Sequence, residues 1–274
     1  MVFLRLVAKG TFTLDEPLNP LLQDVAPQVC ESPLTARALV SHTAGLEVLH
    51  PPHFEARTDA ARNATIVKAL LGECGPPRPV RSPGHHGTLY TGVGWMLLQH
   101  AMEQRTGEAF ASLAEDCVIR PLGLQATSFA ESARYDDALA AAHNENGQVL
   151  PVTVSPAHAS TGLVSTMADC VTSMRALIDA ASSRGLDFLP ADLAKEALEP
   201  QPKDLPDAGF TLTHFLFSRD PYTLTHGGFR PGLRSTLTVF PQQRIIAAFA
   251  ANSDLGFEVI KPWLGLLGSM ASAR

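Results

Sequence analysis

The sequence predicts an α+β fold, in which an antiparallel sheet is flanked by helices and joined to a mainly helical lobe. Amphipathic helical patterns dominate the first two thirds of the 274 residues, and β-rich runs fill most of the last third. Helices and strands that are segregated along a chain favour α+β over an alternating parallel sheet. We expect one domain over residues 1–274, with a helical lobe at about 30–200 and a sheet lobe at about 205–274.

Capping residues and apolar spacing predict the helices of the first lobe. The first helix follows Ser32, a candidate N-cap with Pro33 at the first helical position. A later helix starts at Thr166, because Thr166 and Asp169 form a capping-box pattern. The helices predicted after the first are Thr58–Leu71, Trp95–Arg105, Glu108–Ile119 and Thr166–Ser182.

The last third predicts strands and one closing helix. Pro241-Gln242-Gln243 separates two β-rich runs and therefore indicates a hairpin. The closing helix, Phe257–Ala273, contains Pro262, which limits its regularity. The predicted strands are Phe210–Phe217, Tyr222–Thr225, Leu233–Phe240 and Arg244–Asn252.

Charge and hydropathy exclude two classes of partner. The net charge is −6 and the lysines and arginines are scattered, so the sequence has no basic surface for nucleic acid. The longest apolar runs, such as Ile245–Ala251, are far shorter than a membrane span. Met1–Val7 lacks the length and cleavage site of a signal peptide, so the chain as given would be cytoplasmic and its compartment is left open.

Cysteine and histidine spacing gives no metal or cofactor site. The four cysteines include no CxxC pair and are expected to be reduced and mostly buried. Ten histidines occur, but pairs such as His50/His53 and His85/His86 lie in Pro/Gly-rich stretches without helical i, i+4 geometry. We expect neither a metal nor a cofactor.

Five short stretches in a fixed order carry a family resemblance. They are ARALVSHTAGL (Ala36–Leu46), Pro83-Gly84 with YTGVGW (Tyr90–Trp95), PLGL (Pro121–Leu124), STGLVSTMAD (Ser160–Asp169) and THGGFRPG (Thr225–Gly232). Together they resemble the serine β-lactamase and penicillin-binding-protein family, most closely its class C β-lactamase, D-aminopeptidase and family VIII esterase branch. The resemblance covers about residues 5–255 and implies that family's β-lactamase/transpeptidase-like fold.

The resemblance implies acyl transfer through a serine that a Ser-x-x-Lys pair activates. Tyr90 takes the place of the family's catalytic tyrosine, which shuttles a proton toward the leaving group. His226, Gly227 and Gly228 take the third motif, and the Phe229 N–H is a candidate oxyanion donor. Two plainer interpretations stay open: a tyrosine packed at a helix start, and a glycine turn between strands. His42 and Thr43 are expected to fix the turn after the first helix.

The sequence departs from the family in its nucleophile. None of the five lysines follows a serine at the Ser-x-x-Lys spacing. Residues Phe3–Leu18 resemble the segment that follows that pair by one to two helical turns in relatives. We therefore expect the serine, the lysine and the N-terminal strands to precede Met1 in a longer gene product.

Two substitutions bear on the substrate. Relatives usually have Asn where this chain has Gly92, and that amide helps to bind the substrate carbonyl. His226 replaces the family's lysine, and a neutral histidine offers less charge to a carboxylate.

Two functions remain in competition. The first is a serine hydrolase or acyltransferase that acts on an ester, amide or lactam and is inactive in this chain. The second is a degenerate, non-catalytic binding or scaffold protein that keeps the pocket. The expected partners are a small acyl substrate and, through an exposed sheet edge, a second copy of the chain.

Overall fold

The computed structural model describes residues 1–26, 33–55, 64–73, 77–80, 88–129, 139–184, 187–201, 203 and 209–272. Within these ranges helices come first, an antiparallel sheet follows and a helix closes the chain, so the α+β prediction is confirmed. The helices are α1 (Val2–Ala8), α2 (Ala36–Val40), α3 (Ile66–Lys68), α4 (Val93–Thr106), α5 (Phe110–Ala114), α6 (Arg120–Leu122), α7 (His158–Thr161), α8 (Met167–Ala181), α9 (Ala191–Leu198) and α10 (Gly256–Ser272). A 3₁₀ turn at Asn19–Leu21 and π-helical turns at Ala69–Glu73 and Glu115–Ile119 complete the helical part.

Four strands form one sheet in the order β3-β4-β5-β6, and β1 pairs with β2 in a separate two-stranded ladder. The strands are β1 (Phe54–Glu55), β2 (Thr153–Val154), β3 (Phe215–Arg219), β4 (Tyr222–Arg230), β5 (Leu233–Phe240) and β6 (Ile245–Ala251). Every pairing is antiparallel, and β4 pairs with β5 from Leu224↔Val239 to Arg230↔Leu233. By contrast, β3 pairs only with Tyr222–Thr225, so within the described residues the outer edge of β4 after Thr225 has no partner strand.

The sheet lies between the helical lobe and α10. Alternate residues of a strand face opposite sides of the sheet. Leu237 and Val239 of β5 pack with the main core, whereas Arg234, on the other face, contacts Phe257 of α10. His226 pairs with Leu237 and therefore lies on the face of β4 that looks toward the helical lobe.

The predicted cap of the first helix and the predicted capping box of α8 were wrong. The first predicted helix is preceded by α1, and Thr35 rather than Ser32 caps α2, because the Thr35 hydroxyl accepts the Ala38 N–H. Pro33 is not helical, and Ser32 lies outside the described residues. Thr166 does cap α8, but Asp169 accepts hydrogen bonds from the segment at Ala126 instead of closing a capping box.

Strand β4 is longer than predicted, and β3 is shorter. β4 continues through the glycines to Arg230, because its ladder with β5 holds them extended. The part of the predicted first strand around Phe210 makes only isolated bridges, to Gln201 and Phe215. Cross-strand pairing therefore overrode the local preference of glycine for a turn.

Helix α4 forms the centre of the core. Its side chains are buried on nearly every face, including Leu97 and Leu98, which are completely shielded from solvent. Gly94 lets α4 approach α2 closely, because a β-carbon there would stand 2.8 Å from the Leu39 carbonyl oxygen. Two polar residues inside the core have partners: Gln99 donates to the Pro156 carbonyl, and His100 contacts the carboxylate of Asp24.

Replacement of a central leucine should test this core. We expect Leu98→Ala to lower the free energy of unfolding by about 3 kcal/mol, because it leaves a cavity that the surrounding helices cannot close. The matched control is Leu163→Ala, at a side chain that is 51% exposed, and it should change stability by less than about 0.5 kcal/mol. Chemical denaturation measures both, and equal losses would contradict the described core.

Candidate active site

Tyr90 lies directly before α4, on a backbone that its neighbour fixes. The Thr91 hydroxyl accepts hydrogen bonds from the Leu49 N–H at 3.2 Å and from the Val93 N–H at 3.3 Å. These bonds tie the start of α4 to the loop at Leu49, so the burial of α4 determines where Tyr90 stands.

The Tyr90 ring belongs to an aromatic cluster. Its centroid is 4.6 Å from that of His42, 5.1 Å from that of Phe215 and 6.1 Å from that of Phe210. The side chain is nevertheless 44% exposed, so it borders a cleft and is not enclosed in the core.

His226 reaches the same cluster from β4. Its ring centroid is 5.5 Å from that of Phe215 and 6.2 Å from that of His214. Phe215 therefore contacts both Tyr90 and His226, and the two residues predicted from separate motifs belong to one aromatic cluster. A small pocket lies beside them and is lined by Val40, His42, Trp95, Phe210, Thr213, His214, Phe215 and His226.

The three histidines of this pocket are held neutral. Burial lowers the pKa of His42 to about 4 and that of His214 to about 3, with a smaller contribution in each case from the charge of His226. Burial also lowers the pKa of His226. The pKa of Tyr90 is raised, because its partial burial disfavours the phenolate. At neutral pH the pocket thus offers neutral hydrogen-bonding groups and no histidine cation.

The glycines of the third motif differ in their surroundings. A β-carbon on Gly228 would stand 2.5 Å from the Ser235 hydroxyl oxygen, and one on Gly227 would stand 3.2 Å from the Ser235 carbonyl oxygen. Glycine at position 228 therefore leaves room for Ser235, which pairs with Gly228 across the ladder and faces the same side as His226. Phe229 points to the opposite face, where the Arg234 guanidinium lies 3.8 Å above its ring.

Gly92 also has close neighbours. A β-carbon there would stand 2.7 Å from Pro51 Cδ and 3.1 Å from the Ser160 hydroxyl oxygen. The space that a longer side chain would need at position 92 is thus partly filled by Pro51 and Ser160.

Several residues of this site were not found from the sequence. His214, Thr213 and Trp95 line the pocket but stand in no recognised motif. Ser235 and Ser160 were missed because their proximity to the glycines depends on register and loop packing. His42 was assigned only to a turn, yet its ring also lines the pocket. Pro83-Gly84 lies outside the described residues.

Metal and membrane signals are lacking in the part of the chain that the structure describes. There, no group of three or more His, Cys, Asp or Glu side chains could hold a metal ion. Its helices include none that is long and apolar enough to cross a bilayer.

Comparison with known proteins identifies the family. The Beta-lactamase family model matches residues 1–267, and the chain therefore belongs to the β-lactamase family. The family and fold that the motifs predicted are confirmed.

Solved structures share the fold at low sequence identity. A D-stereospecific amidohydrolase from Streptomyces sp. matches with a TM-score of 0.68 and 22% identity, over 92% of this chain and 78% of that protein. A penicillin-binding protein from Bacillus halodurans matches with a TM-score of 0.72 and 20% identity, over 97% of this chain and 82% of that protein. An octameric penicillin-binding protein homologue from Pyrococcus abyssi matches with a TM-score of 0.70 and 18% identity, over 96% of this chain and 63% of that protein.

The chain is shorter than these proteins. It spans 63% to 82% of the lengths of these three proteins. No curated protein matches the sequence.

The neutral histidines predict a stability that falls on acidification. The unfolded chain binds a proton at His214 near the ordinary pKa of 6.5, whereas the folded chain resists it down to about 3. Stability is therefore full above pH 6.5 and is lost as the pH falls below that value. At pH 5 this single group should reduce the free energy of unfolding by about 2 kcal/mol.

His214→Gln provides the matched comparison, because glutamine does not titrate. The loss of stability between pH 7 and pH 5, measured by urea denaturation, should be smaller in His214→Gln by about 2 kcal/mol. Parallel pH dependences in the two proteins would contradict the buried, neutral state of His214.

Proposed function

We propose that the cleft between Tyr90 and His226 is the acyl-transfer site of a serine hydrolase or acyltransferase that acts on an ester, amide or lactam. The observation that carries this proposal is that Tyr90 and His226 both contact Phe215 on a β-lactamase-family fold. The ring centroid of Phe215 lies 5.1 Å from that of Tyr90 and 5.5 Å from that of His226. The amidohydrolase among the structural relatives supports the same class of reaction. The chain itself contains no Ser-x-x-Lys, so we propose that it is inactive as given.

The proposed reaction has two steps. A serine oxygen attacks the substrate carbonyl, the bond from that carbon to the leaving group breaks, and the serine proton passes through the Tyr90 hydroxyl to the leaving group. Water then adds to the acyl-enzyme and releases the acid and the serine. The N–H of Phe229 is the proposed donor to the oxyanion, on the edge of β4 that β3 leaves unpaired.

The N-terminal end of α1 lies near the proposed site. The α-amino group of Met1, which precedes α1, contributes to the lowered pKa of His214. A segment added before Met1 would therefore start close to the pocket.

The charge of the cleft supports a substrate that is neutral where it meets β4. A carboxylate needs a cationic or multiply donating partner when it leaves water. His226 is neutral at physiological pH because burial lowers its pKa. We therefore propose an ester or amide without a carboxylate at this point over a penicillin-type lactam.

The competing function is a non-catalytic binding protein that keeps the cleft. The observation that favours it is the crowding at Gly92, where Pro51 and Ser160 occupy space that an asparagine side chain would need. The labelling experiment described next separates the acyl-transfer function from this binding function.

A serine–lysine segment supplied to α1 should restore covalent chemistry. The chain is extended before Met1 by a helical segment that places Ser-x-x-Lys one to two turns upstream. We expect an uncharged fluorophosphonate ester to label the extended protein and to leave the original chain unlabelled, as measured by intact mass. A fluorescent penicillin should label it more slowly, because His226 is neutral where the family has a lysine.

Matched variants assign the roles in that experiment. Serine-to-alanine in the added segment should abolish labelling, and Tyr90→Phe should slow it by at least about 100-fold. Labelling of the original chain would contradict its inactivity. An extended protein that folds but takes up neither probe would support the non-catalytic function.

We also propose that the chain associates with a second copy through β6. This strand ends the described sheet, and its seven residues, IIAAFAA, include no charge and no proline. An apolar edge strand with free backbone groups favours pairing with another chain. The octameric assembly of the Pyrococcus abyssi homologue supports self-association within the fold, without indicating which surface it uses.

A charge on that edge should weaken association. Ala250 is exposed on β6, and Ala250→Lys should shift the protein toward monomer in sedimentation velocity. Thr172→Lys, which adds the same charge on the exposed face of α8, is the control and should leave association unchanged. An original chain that stays monomeric at high concentration would refute the proposal.

A further inference from the structure

His42 occupies an unusual backbone position. Its φ is 58°, in the left-handed region that non-glycine residues seldom adopt. The turn around it is tightly held, because the N–H groups of Thr43 and Ala44 both donate to the Ala38 carbonyl and the hydroxyls of Ser41 and Thr43 lie 3.0 Å apart. Strain of this kind persists where surrounding contacts over-determine it, and it is enriched at functional sites.

His42 contacts the Tyr90 ring and hydrogen-bonds both neighbours of Tyr90 in the chain. Its carbonyl accepts the Leu89 N–H at 2.8 Å, and its Nδ1 accepts the Thr91 N–H at 3.3 Å. Its ring centroid lies 4.6 Å from that of Tyr90. The residues on both sides of Tyr90 and the Tyr90 ring itself are thus held by one residue from a distant part of the sequence.

The His42 ring also packs against Phe210. Its centroid lies 4.5 Å from that of Phe210, which bridges to Phe215 and lies 4.6 Å from the Phe215 ring. The His42 side chain is only 4% exposed. The ring therefore packs against Tyr90 on one side and against Phe210, which precedes β3, on the other.

The protonation state of His42 argues for positioning over proton transfer. A ring that accepts at Nδ1 and stays neutral carries its proton on Nε2. Burial lowers its pKa to about 4, so this state holds throughout the physiological range. The Nδ1 lone pair is occupied by the Thr91 N–H and is not available as a base.

We propose that His42 is a positioning residue that fixes the Tyr90 side chain in the cleft, through its bond to Thr91 and its ring contact. Its consequence for catalysis depends on the proposed acyl-transfer function. The position of the Tyr90 side chain does not depend on that function and can be tested separately.

The test uses two substitutions that tolerate the left-handed backbone. His42→Gly removes the ring and the Nδ1 acceptor without strain at positive φ. His42→Asn also tolerates this conformation, and its side-chain oxygen can accept the Thr91 N–H. The readout is the NMR ring signals of ring-labelled tyrosine at neutral pH, with Tyr90 assigned by its loss in Tyr90→Phe and Tyr222 as the internal reference.

We expect His42→Gly to move the Tyr90 ring signals toward their random-coil positions and to leave Tyr222 unchanged, because only Tyr90 loses its packing partner. His42→Asn should restore much of the Tyr90 shift. Unaltered Tyr90 signals in His42→Gly, no recovery in His42→Asn, or an equal change at Tyr222 would each overturn the proposal. In the extended, serine-bearing protein, His42→Gly should slow labelling. An effect on NMR alone would leave the positioning intact and contradict its consequence for catalysis, whereas an extended parent protein that takes up no probe would contradict the acyl-transfer function.

Discussion

The near-complete burial of helix α4 is the constraint on which the site depends. A helix that is enclosed on most of its faces can neither slide nor rotate without exposing apolar surface or opening cavities. Its first turn is tied to Leu49 through the Thr91 hydroxyl, and Gly94 locks it against α2. Tyr90 immediately precedes this turn. The burial of α4 therefore fixes the backbone next to Tyr90, while His42 and Phe215 pack against its ring.

The second wall of the cleft is fixed by a different mechanism. Strand β4 is held in register by its ladder with β5, and that register brings His226 to the side of the helical lobe. Because β3 stops pairing at Thr225, the outer edge of β4 beyond it has no partner strand among the described residues. A rigid helix start thus faces a rigid strand edge, with Phe215 between them. Catalytic groups are most precisely placed when they stand on such elements.

The sequence predicted those features of the site that depend on short motifs. Tyr90 and the His226–Gly228 segment could be found because their neighbours form recognisable patterns, and α8 could be found because its cap and its periodicity agree. The left-handed turn at His42 gave no local signal, since histidine is not a residue that such a turn demands. Ser235 became a neighbour of Gly228 only through strand register. Contacts between distant segments follow from tertiary packing, which local propensity does not encode.

The electrostatics of the cleft explain why Tyr90 alone cannot drive the proposed chemistry. Its pKa is raised, because its partial burial disfavours the charged phenolate. A tyrosine in that state is a proton donor at neutral pH and a poor base. The neutral histidines do not change this, because His42 already accepts a bond at Nδ1 and His214 is buried with its Nδ1 beside the Thr213 hydroxyl. A nearby ammonium group would favour the phenolate and lower the pKa of Tyr90. In the proposed extended protein, the lysine added with the serine would therefore supply two things: activation of the nucleophile, and the charge that makes Tyr90 competent to pass on its proton.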